Sequence, residues 1–330
     1  MKLIRGGSSL RIPNKLTVGD EIRVIAPSRS AAIITVEGAE QTKKKLEELG
    51  FRVSFGRHIF ECDLQYSSSI EQRVADIHDA FRDEGVKAVL TVIGGFNCNE
   101  VLPYLDYDMI ANNPKILCGF SDITALATAI TKKCGFVTYS GPHFSSFQME
   151  EAQDYQLSYF KKCLMTNTSY TIKASSVWSD DAWYLDQHNR HFEAASWKVY
   201  SDGEASGQLF GGNLCTLNLL QGTPYMPDLS NSILFVEDDE IVNPEIFARD
   251  FTSLLQATSN IKGIAIGRFQ RASNMTERQL HFILDKHPEL KRIPVIYDVD
   301  FGHTQPIFTF PIGGEVQMNT ENLMIQFTKF

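Results

Sequence analysis

Ser121 is the residue of this chain whose surroundings best suit a nucleophile. It lies in Gly119-Phe120-Ser121-Asp122-Ile123, between a short apolar run and an apolar helical pattern. A sharp strand-to-helix turn projects a serine hydroxyl above a sheet, and the free N–H groups of the helix can stabilise an oxyanion. The segment departs from G-x-S-x-G because Ile123 replaces the last glycine. Serine at such a position more often only caps the helix, so spacing alone leaves both roles open.

A pair of glycines supplies a second feature of this kind. Gly94 and Gly95 follow a near-continuous apolar strand that ends at Ile93. Paired glycines let the backbone approach a ligand closely, although the loop matches neither G-x-G-x-x-G nor a P-loop. Open α/β sheets place their sites at the carboxyl ends of strands. We therefore predict that the backbone N–H groups of Gly95 and Asp122 form an oxyanion hole.

A serine nucleophile needs a base, and histidine is the usual one near neutral pH. Of the eight histidines, His143 and His303 are the candidates. His143 lies close to a strand end, and His303 follows a strand in a loop that contains a glycine and two acids. The other six stand in polar or amphipathic settings typical of the surface. A loop histidine is more often structural than catalytic, and these patterns leave both candidates open.

Glu237 is the predicted acid of the site. It ends the apolar run 233–236 and begins an acidic run at 237–240, which could equally be a solvated loop. A carboxylate at the end of a strand can hold an imidazole in one tautomer, and the order Ser, acid, His matches one known triad order. The sequence does not distinguish which acid of 237–240 faces the imidazole, and Glu237 is our choice.

Composition limits the class of protein. The chain has 330 residues, enough for two domains, and its 43% hydrophobic and 22% charged residues are typical of a soluble globular protein. A net charge of −9 argues against a nucleic-acid or anionic-membrane partner. We expect neither a signal peptide nor a membrane span, because no apolar run of the required length occurs. The six scattered cysteines, without a C-x-x-C pair, indicate a reduced, cytoplasmic protein.

Alternating hydrophobic patterns predict the elements that position these residues. In the first half we predict strands at 22–26, 52–55, 86–93 and 115–118, and helices at 37–49, 70–84 and 123–133. In the second half we predict strands at 233–236, 264–267 and 293–297, helices at 244–258 and 276–286, and a β-rich tail at 307–327. Strands that alternate with helices indicate a doubly wound α/β sheet in the N-terminal half.

The stretch from about 165 to 200 has no clean period and holds all three tryptophans. We interpret it as a linker that crosses between domains and forms part of a binding surface. The predicted organisation is an N-terminal α/β domain over 1–165, a linker and binding segment over 166–200, and a C-terminal domain over 201–330.

Four motifs together resemble the LD-carboxypeptidase family of serine peptidases, in order and over nearly the whole chain. They are Gly-Phe-Ser-Asp-Ile-Thr at 119–124, Gly-Gly-Asn-Leu at 211–214, Phe-Val-Glu-Asp at 235–238 and Phe-Gly-His-Thr at 301–304. The resemblance implies a triad of Ser121, Glu237 and His303, with His143 left in a structural or pocket-lining role. It also implies a flavodoxin-like N-terminal domain, a mixed β/α C-terminal domain, and a homodimer without metal or organic cofactor.

The family has two branches, and the sequence does not choose between them. One removes the terminal D-alanine of murein tetrapeptides, and the other, the microcin C self-immunity proteins, cuts an aminoacyl-nucleotide amide. The implied partner is thus a small peptide or an aminoacyl nucleotide. Trp183 either stacks on a nucleobase or packs the domain crossover, and Gly94 and Asn213 are further predicted substrate-binding residues. The alternative function is a non-catalytic nucleotide- or peptide-binding α/β protein.

Overall fold

The computed structural model describes residues 10–330. Residues 1–9 lie outside the described residues. The expectation that the N-terminus carries no signal peptide concerns these residues in part. The strands are β1 (Glu21–Ile25), β2 (Arg52–Phe55), β3 (Val86–Thr91), β4 (Ile116–Cys118), β5 (Thr138–Ser140), β6 (Tyr170–Ile172), β7 (Val177–Trp178), β8 (Glu193–Ala194), β9 (Lys198–Ser201), β10 (Glu204–Asn213), β11 (Ile233–Glu237), β12 (Gly263–Gly267), β13 (Val295–Val299), β14 (Phe310–Ile312), β15 (Glu315–Asn319) and β16 (Met324–Lys329).

The α-helices are α1 (Val36–Glu48), α2 (Ile70–Arg82), α3 (Tyr107–Asn112), α4 (Ile123–Cys134), α5 (Gln153–Met165), α6 (Leu214–Asn218), α7 (Pro244–Gln256) and α8 (Glu277–Leu284). The helices predicted from periodicity are all present, with ends close to those expected. Helices α3, α5 and α6 were not predicted; α3 and α6 are short, and α5 begins without a side-chain cap. None of the helices within residues 10–330 combines the length and apolar character that crossing a membrane requires.

The first sheet confirms the doubly wound fold. Its order is β2-β1-β3-β4-β5-β14, and neighbours among the first five strands are parallel. The order β2-β1-β3-β4-β5 is that of flavodoxin-like sheets. Strand β14, from the C-terminal tail, adds an antiparallel edge to β5. The order reverses between β1 and β3, and a sheet of this kind opens its ligand crevice there, at the carboxyl ends of the strands.

The second sheet is mixed, as expected for the C-terminal half. Its order is β6-β16-β15-β10-β11-β12-β13-β9, with parallel pairs from β10 to β13 and antiparallel pairs on both flanks. The segment interpreted as an irregular linker carries four short strands, and two of them, β6 and β9, form the edges of this sheet. That interpretation missed them because strands of three or four residues are too short to show an alternating pattern.

Helix α4 joins the two halves of the molecule. It is buried at all but two of its residues, which agrees with its apolar sequence on every side. It contacts β5 and β14 of the first sheet and β10 and α6 of the second part. The backbone N–H of Asn213 donates to the Thr124 hydroxyl at 3.0 Å. The helix that begins just after Ser121 is therefore anchored to the end of a strand in the other sheet.

Candidate active site

Ser121 lies in a sharp turn between β4 and α4. Its φ of +60° is left-handed, a conformation that residues with a β-carbon rarely adopt. The helix N-cap is Asp122, which makes no side-chain capping bond, and the hydroxyl of Ser121 is directed to a histidine instead. The turn therefore has the form of a nucleophile elbow, and the alternative in which Ser121 merely caps the helix is wrong.

The carboxylate of Asp122 fastens this turn to two neighbouring loops. It is 3% exposed and accepts hydrogen bonds from the Ser28 hydroxyl, after β1, and from the Cys98 backbone N–H at 2.8 Å, after β3. Burial raises the pKa of Asp122, although these donors oppose the rise. The loops at the carboxyl ends of β1, β3 and β4 thus share one buried carboxylate.

Three side chains from distant parts of the chain form one hydrogen-bonded line. Nε2 of His303 lies 3.0 Å from Oγ of Ser121, and Nδ1 of His303 lies 2.6 Å from Oε2 of Glu237. A carboxylate only accepts, so Nδ1 carries the proton and Nε2 is free to accept from the serine hydroxyl. This is the order of contacts in a serine, histidine and acid triad.

Glu237 is held by close packing around the end of β11. Glu237 is 2% exposed. Gly302, which has a φ of +101°, lies so close to it that a β-carbon added to the glycine would be 2.8 Å from Cγ of Glu237. Nearby, the ring of Phe235 in β11 stacks on that of Phe301, in the loop after β13, at 5.4 Å. The glycine is needed both for its backbone conformation and for its missing side chain, because the loop that carries His303 packs directly on the glutamate.

The other acids of the 237–240 run have different positions. Asp238 is 1% exposed and accepts from the Cys215 backbone N–H at 3.3 Å. Burial, together with the neighbouring Glu237, raises the pKa of Asp238 well above its usual value. Asp239 and Glu240 line the cleft. Among the four, Glu237 is the acid that contacts the imidazole, the point that the sequence left open.

Electrostatics favour a protonated His303 more than usual. Burial lowers the pKa of His303, but the Glu237 carboxylate beside Nδ1 raises it, with smaller contributions from Asp239 and Asp238, and the net pKa is raised. The side chain is 17% exposed, and the ring of Phe120 meets it edge-on at 5.3 Å. An imidazole in this setting can accept a proton from the serine and hold it near the carboxylate.

His143 occupies the same cleft in a different way. Its Nδ1 lies 2.8 Å from the Thr91 hydroxyl, and its ring stacks on Phe120 at 4.3 Å. Burial, and secondarily the nearby His303, lower the pKa of His143 to about 3, so it stays neutral near pH 7. These contacts fit the pocket-lining role that the family resemblance implied.

The two predicted oxyanion donors belong to loops that meet at Ser121. Gly95 has a φ of +156°, and a β-carbon added to its neighbour Gly94 would be 3.6 Å from the backbone nitrogen of Asp122. Within residues 10–330, the N–H groups of Gly95 and Asp122 donate to no protein acceptor. Both groups are therefore available to a ligand, and their role as an oxyanion hole stays a prediction.

A cleft of about 430 Å³ opens above these residues. Its lining includes the predicted residues Gly94, Gly95, Ser121, Trp183 and His303, together with residues that the sequence did not single out: Arg29, Phe96, Asp180, Tyr184, Ile241 and Gln270. For Arg29 the sequence did hold a signal, its position: it follows the carboxyl end of β1, where the sheet order reverses and a ligand site is expected.

Trp183 reaches the cleft on a segment tied to the histidine loop. The backbones of Ser179 and Gln305 exchange two hydrogen bonds, at 2.9 and 2.8 Å. Arg271 adds ion pairs to Asp180 and to Glu193. The Trp183 ring, half-buried, meets Tyr184 edge-on at 5.8 Å. Its position permits contact with a substrate, and the stacking role stays a prediction.

Asn213 lies outside the residues that line the cleft. Its side chain is 2% exposed, and its oxygen accepts from the backbone N–H and the hydroxyl of Thr216 at 3.1 and 2.8 Å, which caps α6. The sequence motif was interpreted as substrate-binding, whereas the observed contacts are those of a capping residue at the end of β10. Direct contact with substrate stays a prediction that these contacts do not support.

Within the described residues, no group of three or more His, Cys, Asp or Glu side chains is arranged to hold a metal ion. Of the acids near the cleft, Glu237 contacts the imidazole, Asp238 and Asp239 accept from backbone N–H groups, and Asp180 pairs with Arg271.

Comparison with known proteins connects this geometry to a family. The LD-carboxypeptidase N-terminal domain profile matches residues 22–141, and the C-terminal domain profile matches residues 206–318. The chain is 51% identical over 304 residues, 91% of this chain and 94% of the relative, to the putative carboxypeptidase YocD of Bacillus subtilis (strain 168). It is 30% identical to a probable murein peptide carboxypeptidase of the same organism, over 93% of this chain and 91% of the relative.

Solved structures of related proteins have the same fold as this chain. The MccF-like protein from Bacillus anthracis str. Ames superimposes with a TM-score of 0.94 at 48% identity, covering 97% of this chain and 100% of that one. MccF in complex with glutamyl sulfamoyl guanosine superimposes with a TM-score of 0.88 at 28% identity, covering 96% and 98%. These relatives support a peptidase or amidase function. On both profiles and on these identities, the chain belongs to the LD-carboxypeptidase family.

Proposed function

We propose that this protein is a serine-type amide hydrolase that uses Ser121, His303 and Glu237 as its catalytic triad. The observation that carries the proposal is the line of two hydrogen bonds, 3.0 and 2.6 Å long, from the hydroxyl through the imidazole to the carboxylate. Serine is a weak nucleophile alone, and an adjacent base held by a third group is the arrangement that activates it.

The first step is the attack of Ser121 Oγ on the amide carbonyl carbon. As the new C–O bond forms, Nε2 of His303 takes the hydroxyl proton, and Glu237 stabilises the resulting imidazolium. The backbone N–H groups of Gly95 and Asp122 donate to the oxyanion of the tetrahedral intermediate. The position of Asp122 at the start of α4 adds the favourable end of the helix dipole.

The second half of the reaction reverses the direction of the proton. His303 gives its proton to the leaving amine as the C–N bond breaks, which leaves an acyl group on Ser121. Water then attacks the acyl-enzyme, with His303 as base, and the serine is regenerated.

The proposed substrate is a small peptide or an aminoacyl nucleotide. A relative is named a probable murein peptide carboxypeptidase, and MccF is described with aminoacyl sulfamoyl nucleosides bound. Trp183 lines the cleft and could stack on a base, which favours testing the nucleotide branch alongside the peptide branch. The homodimer and the cytoplasmic location belong to the proposal as expectations; light scattering of the purified protein tests the first.

One experiment tests the function and chooses the branch. Wild-type protein and the variant Ser121→Ala are incubated with a murein tetrapeptide and with aspartyl sulfamoyl adenosine, and mass spectrometry follows loss of the terminal residue or of the aminoacyl group. We expect the wild type to cleave at least one substrate and Ser121→Ala to lower turnover by about 10⁴-fold or more.

The matched control is Ser259→Ala, which removes a serine hydroxyl from an exposed position outside the cleft and should leave turnover nearly unchanged. Turnover by Ser121→Ala at the wild-type rate would contradict the triad. Tight binding of a substrate by the wild type with no cleavage would instead support the non-catalytic binding protein.

A further inference from the structure

Arg29 has a distinctive position in the cleft. Among the described residues that line it, Arg29 is the only arginine or lysine. It follows β1, and its backbone N–H donates to the carbonyl of Gly94 at 3.2 Å. A β-carbon added to Gly95 would lie 3.0 Å from the Arg29 nitrogen and 3.2 Å from its Cβ. The arginine therefore stands directly against the glycine whose N–H faces the proposed oxyanion.

Two aromatic rings flank the guanidinium group. The central carbon of the group lies 5.7 Å from the ring centroid of Tyr66 and 5.8 Å from that of Phe96. Both aromatic residues are largely exposed, at 65% and 68%. A hydrogen bond from the Ser30 backbone N–H to the Tyr66 carbonyl, at 2.8 Å, holds this loop beside Arg29. At these distances the two rings are cation–π neighbours of the guanidinium, and neither of them neutralises its charge.

The guanidinium has no acidic partner within residues 10–330. Other arginines near the cleft do: Arg271 pairs with Asp180 and Glu193, and Arg268 pairs with Asp300 at 2.8 Å. No carboxylate approaches Arg29 within 4.0 Å, although the cleft is lined by several. A guanidinium that has no carboxylate partner is suited to the bidentate binding of an oxyanion.

The other charges of the cleft direct an anion to the same place. Asp181, Asp239 and Glu240 line it in addition to the paired Asp180. These carboxylates repel an anionic group over the rest of the surface, and the attraction of Arg29 is local. An anionic substrate group can therefore find a favourable position at one end of the cleft.

We propose that Arg29 determines specificity by binding an anionic group of the substrate close to the scissile amide. In a peptide substrate this group is the carboxylate of the terminal residue; in an aminoacyl nucleotide it is the acyl sulfamate or phosphoryl group. The two share the chemistry of an oxyanion a few bonds from the reacting carbonyl. The inference rests on the proposed function, because it takes Ser121 as the point of attack.

Kinetics with paired substrates provide the first test. Wild type and Arg29→Gln are compared on a tetrapeptide with a free terminal carboxylate and on the same peptide with a terminal amide. A second pair is aspartyl sulfamoyl adenosine and the aspartyl amide of 5′-amino-5′-deoxyadenosine, whose linker is uncharged. We expect Arg29→Gln to lower kcat/KM for the anionic member of the cleaved pair by about 10- to 100-fold and to change the neutral member little.

Two further variants control for charge and geometry. Arg29→Lys keeps the charge but not the planar fork, so we expect partial recovery for the anionic substrate. Arg57→Gln removes a positive charge from an exposed position outside the cleft and should leave both substrates unaffected. Equal losses on the anionic and neutral substrates with Arg29→Gln would overturn the proposal.

Binding separates this inference from the proposed function. Calorimetry measures the affinity of each substrate for Ser121→Ala and for Ser121→Ala combined with Arg29→Gln. We expect the added substitution to weaken binding of the anionic ligand by about tenfold or more and that of the neutral ligand little. Such selective weakening without any cleavage by the wild type would support Arg29 and refute the hydrolase. Cleavage that depends on Ser121 but not on Arg29 would support the hydrolase and refute the role of Arg29. If Ser121→Ala binds neither anionic ligand, the Arg29 proposal is overturned.

Discussion

Gly94 lies directly against the side chain of Ser121. A β-carbon added to Gly94 would stand 2.9 Å from Cβ and 3.0 Å from Oγ of the serine. The loop after β3 and the turn after β4 therefore fit together only because residue 94 has no side chain. Of the paired glycines, Gly94 leaves space for the serine side chain, and Gly95 is the predicted backbone donor to the oxyanion.

We expect Gly94→Ala to lower kcat by about 10- to 100-fold, because the serine must shift away from His303 and a displacement near 1 Å costs about that much. Steady-state kinetics on the cleaved substrate measure the effect. Gly222→Ala is the control for kcat: its φ of +75° makes the substitution strained, but the added β-carbon meets nothing within 4 Å and the residue lies outside the cleft. A wild-type kcat in Gly94→Ala would show that the packing is not needed.

The pH dependence of kcat/KM follows from the contact between His303 and Glu237. Burial lowers the pKa of His303, but Glu237, with smaller help from Asp239 and Asp238, raises it, so that the net pKa lies above the ordinary value of 6.5. Because the neutral imidazole is the base, activity should rise with pH through a value above 6.5. Glu237→Gln removes the negative charge, so the rising limb should move to lower pH while the plateau falls by up to about 10⁴-fold.

The measurement is a pH profile of kcat/KM for the wild type and for Glu237→Gln. Asp239→Asn is a suitable comparison, because Asp239 is a neighbouring acid that raises the same pKa less. A rising limb that stays in place in Glu237→Gln would contradict the assigned contact.

His143 should have no part in that rising limb. Burial lowers its pKa to about 3, so it is neutral over the whole range in which activity changes. We expect His143→Asn to leave the midpoint of the limb unchanged and to lower the free energy of unfolding by about 1–3 kcal/mol, because the Thr91 hydroxyl loses its buried partner. Urea denaturation and the pH profile check the two parts; a shifted limb would return His143 to the list of bases.

Asp300 should be important for stability rather than chemistry. It is 0% exposed and accepts hydrogen bonds from Arg268 at 2.8 Å, the Trp197 indole at 2.7 Å and the Ser175 backbone N–H at 2.8 Å. Asp300→Ala leaves the Arg268 guanidinium buried without its partner, which should cost about 3–5 kcal/mol.

Urea denaturation followed by circular dichroism measures the loss in Asp300→Ala. Asp298→Ala, which removes a more exposed carboxylate two residues away, near the end of β13, should cost much less. Equal losses in the two variants would show that burial is not the cause.

Local patterns in the sequence determined most of the elements and two members of the site. The apolar helix after Ser121 and the apolar strand before Glu237 could be predicted because side-chain periodicity depends on near neighbours. The glycine pair after β3 was found in the same way. Patterns of this range could not reveal β6 and β9, nor the cap that Asn213 provides to α6; contact of Asn213 with a substrate stays a prediction.

Tertiary structure alone decided which distant residues meet. Two histidines stand in similar local settings, yet His303 reaches Ser121 while His143 turns to Thr91. Likewise one acid of four in the 237–240 run contacts the imidazole. These choices depend on the packing of α4 against β10 and on the close approach of Gly302 to Glu237, contacts between residues far apart in the chain that no local periodicity encodes.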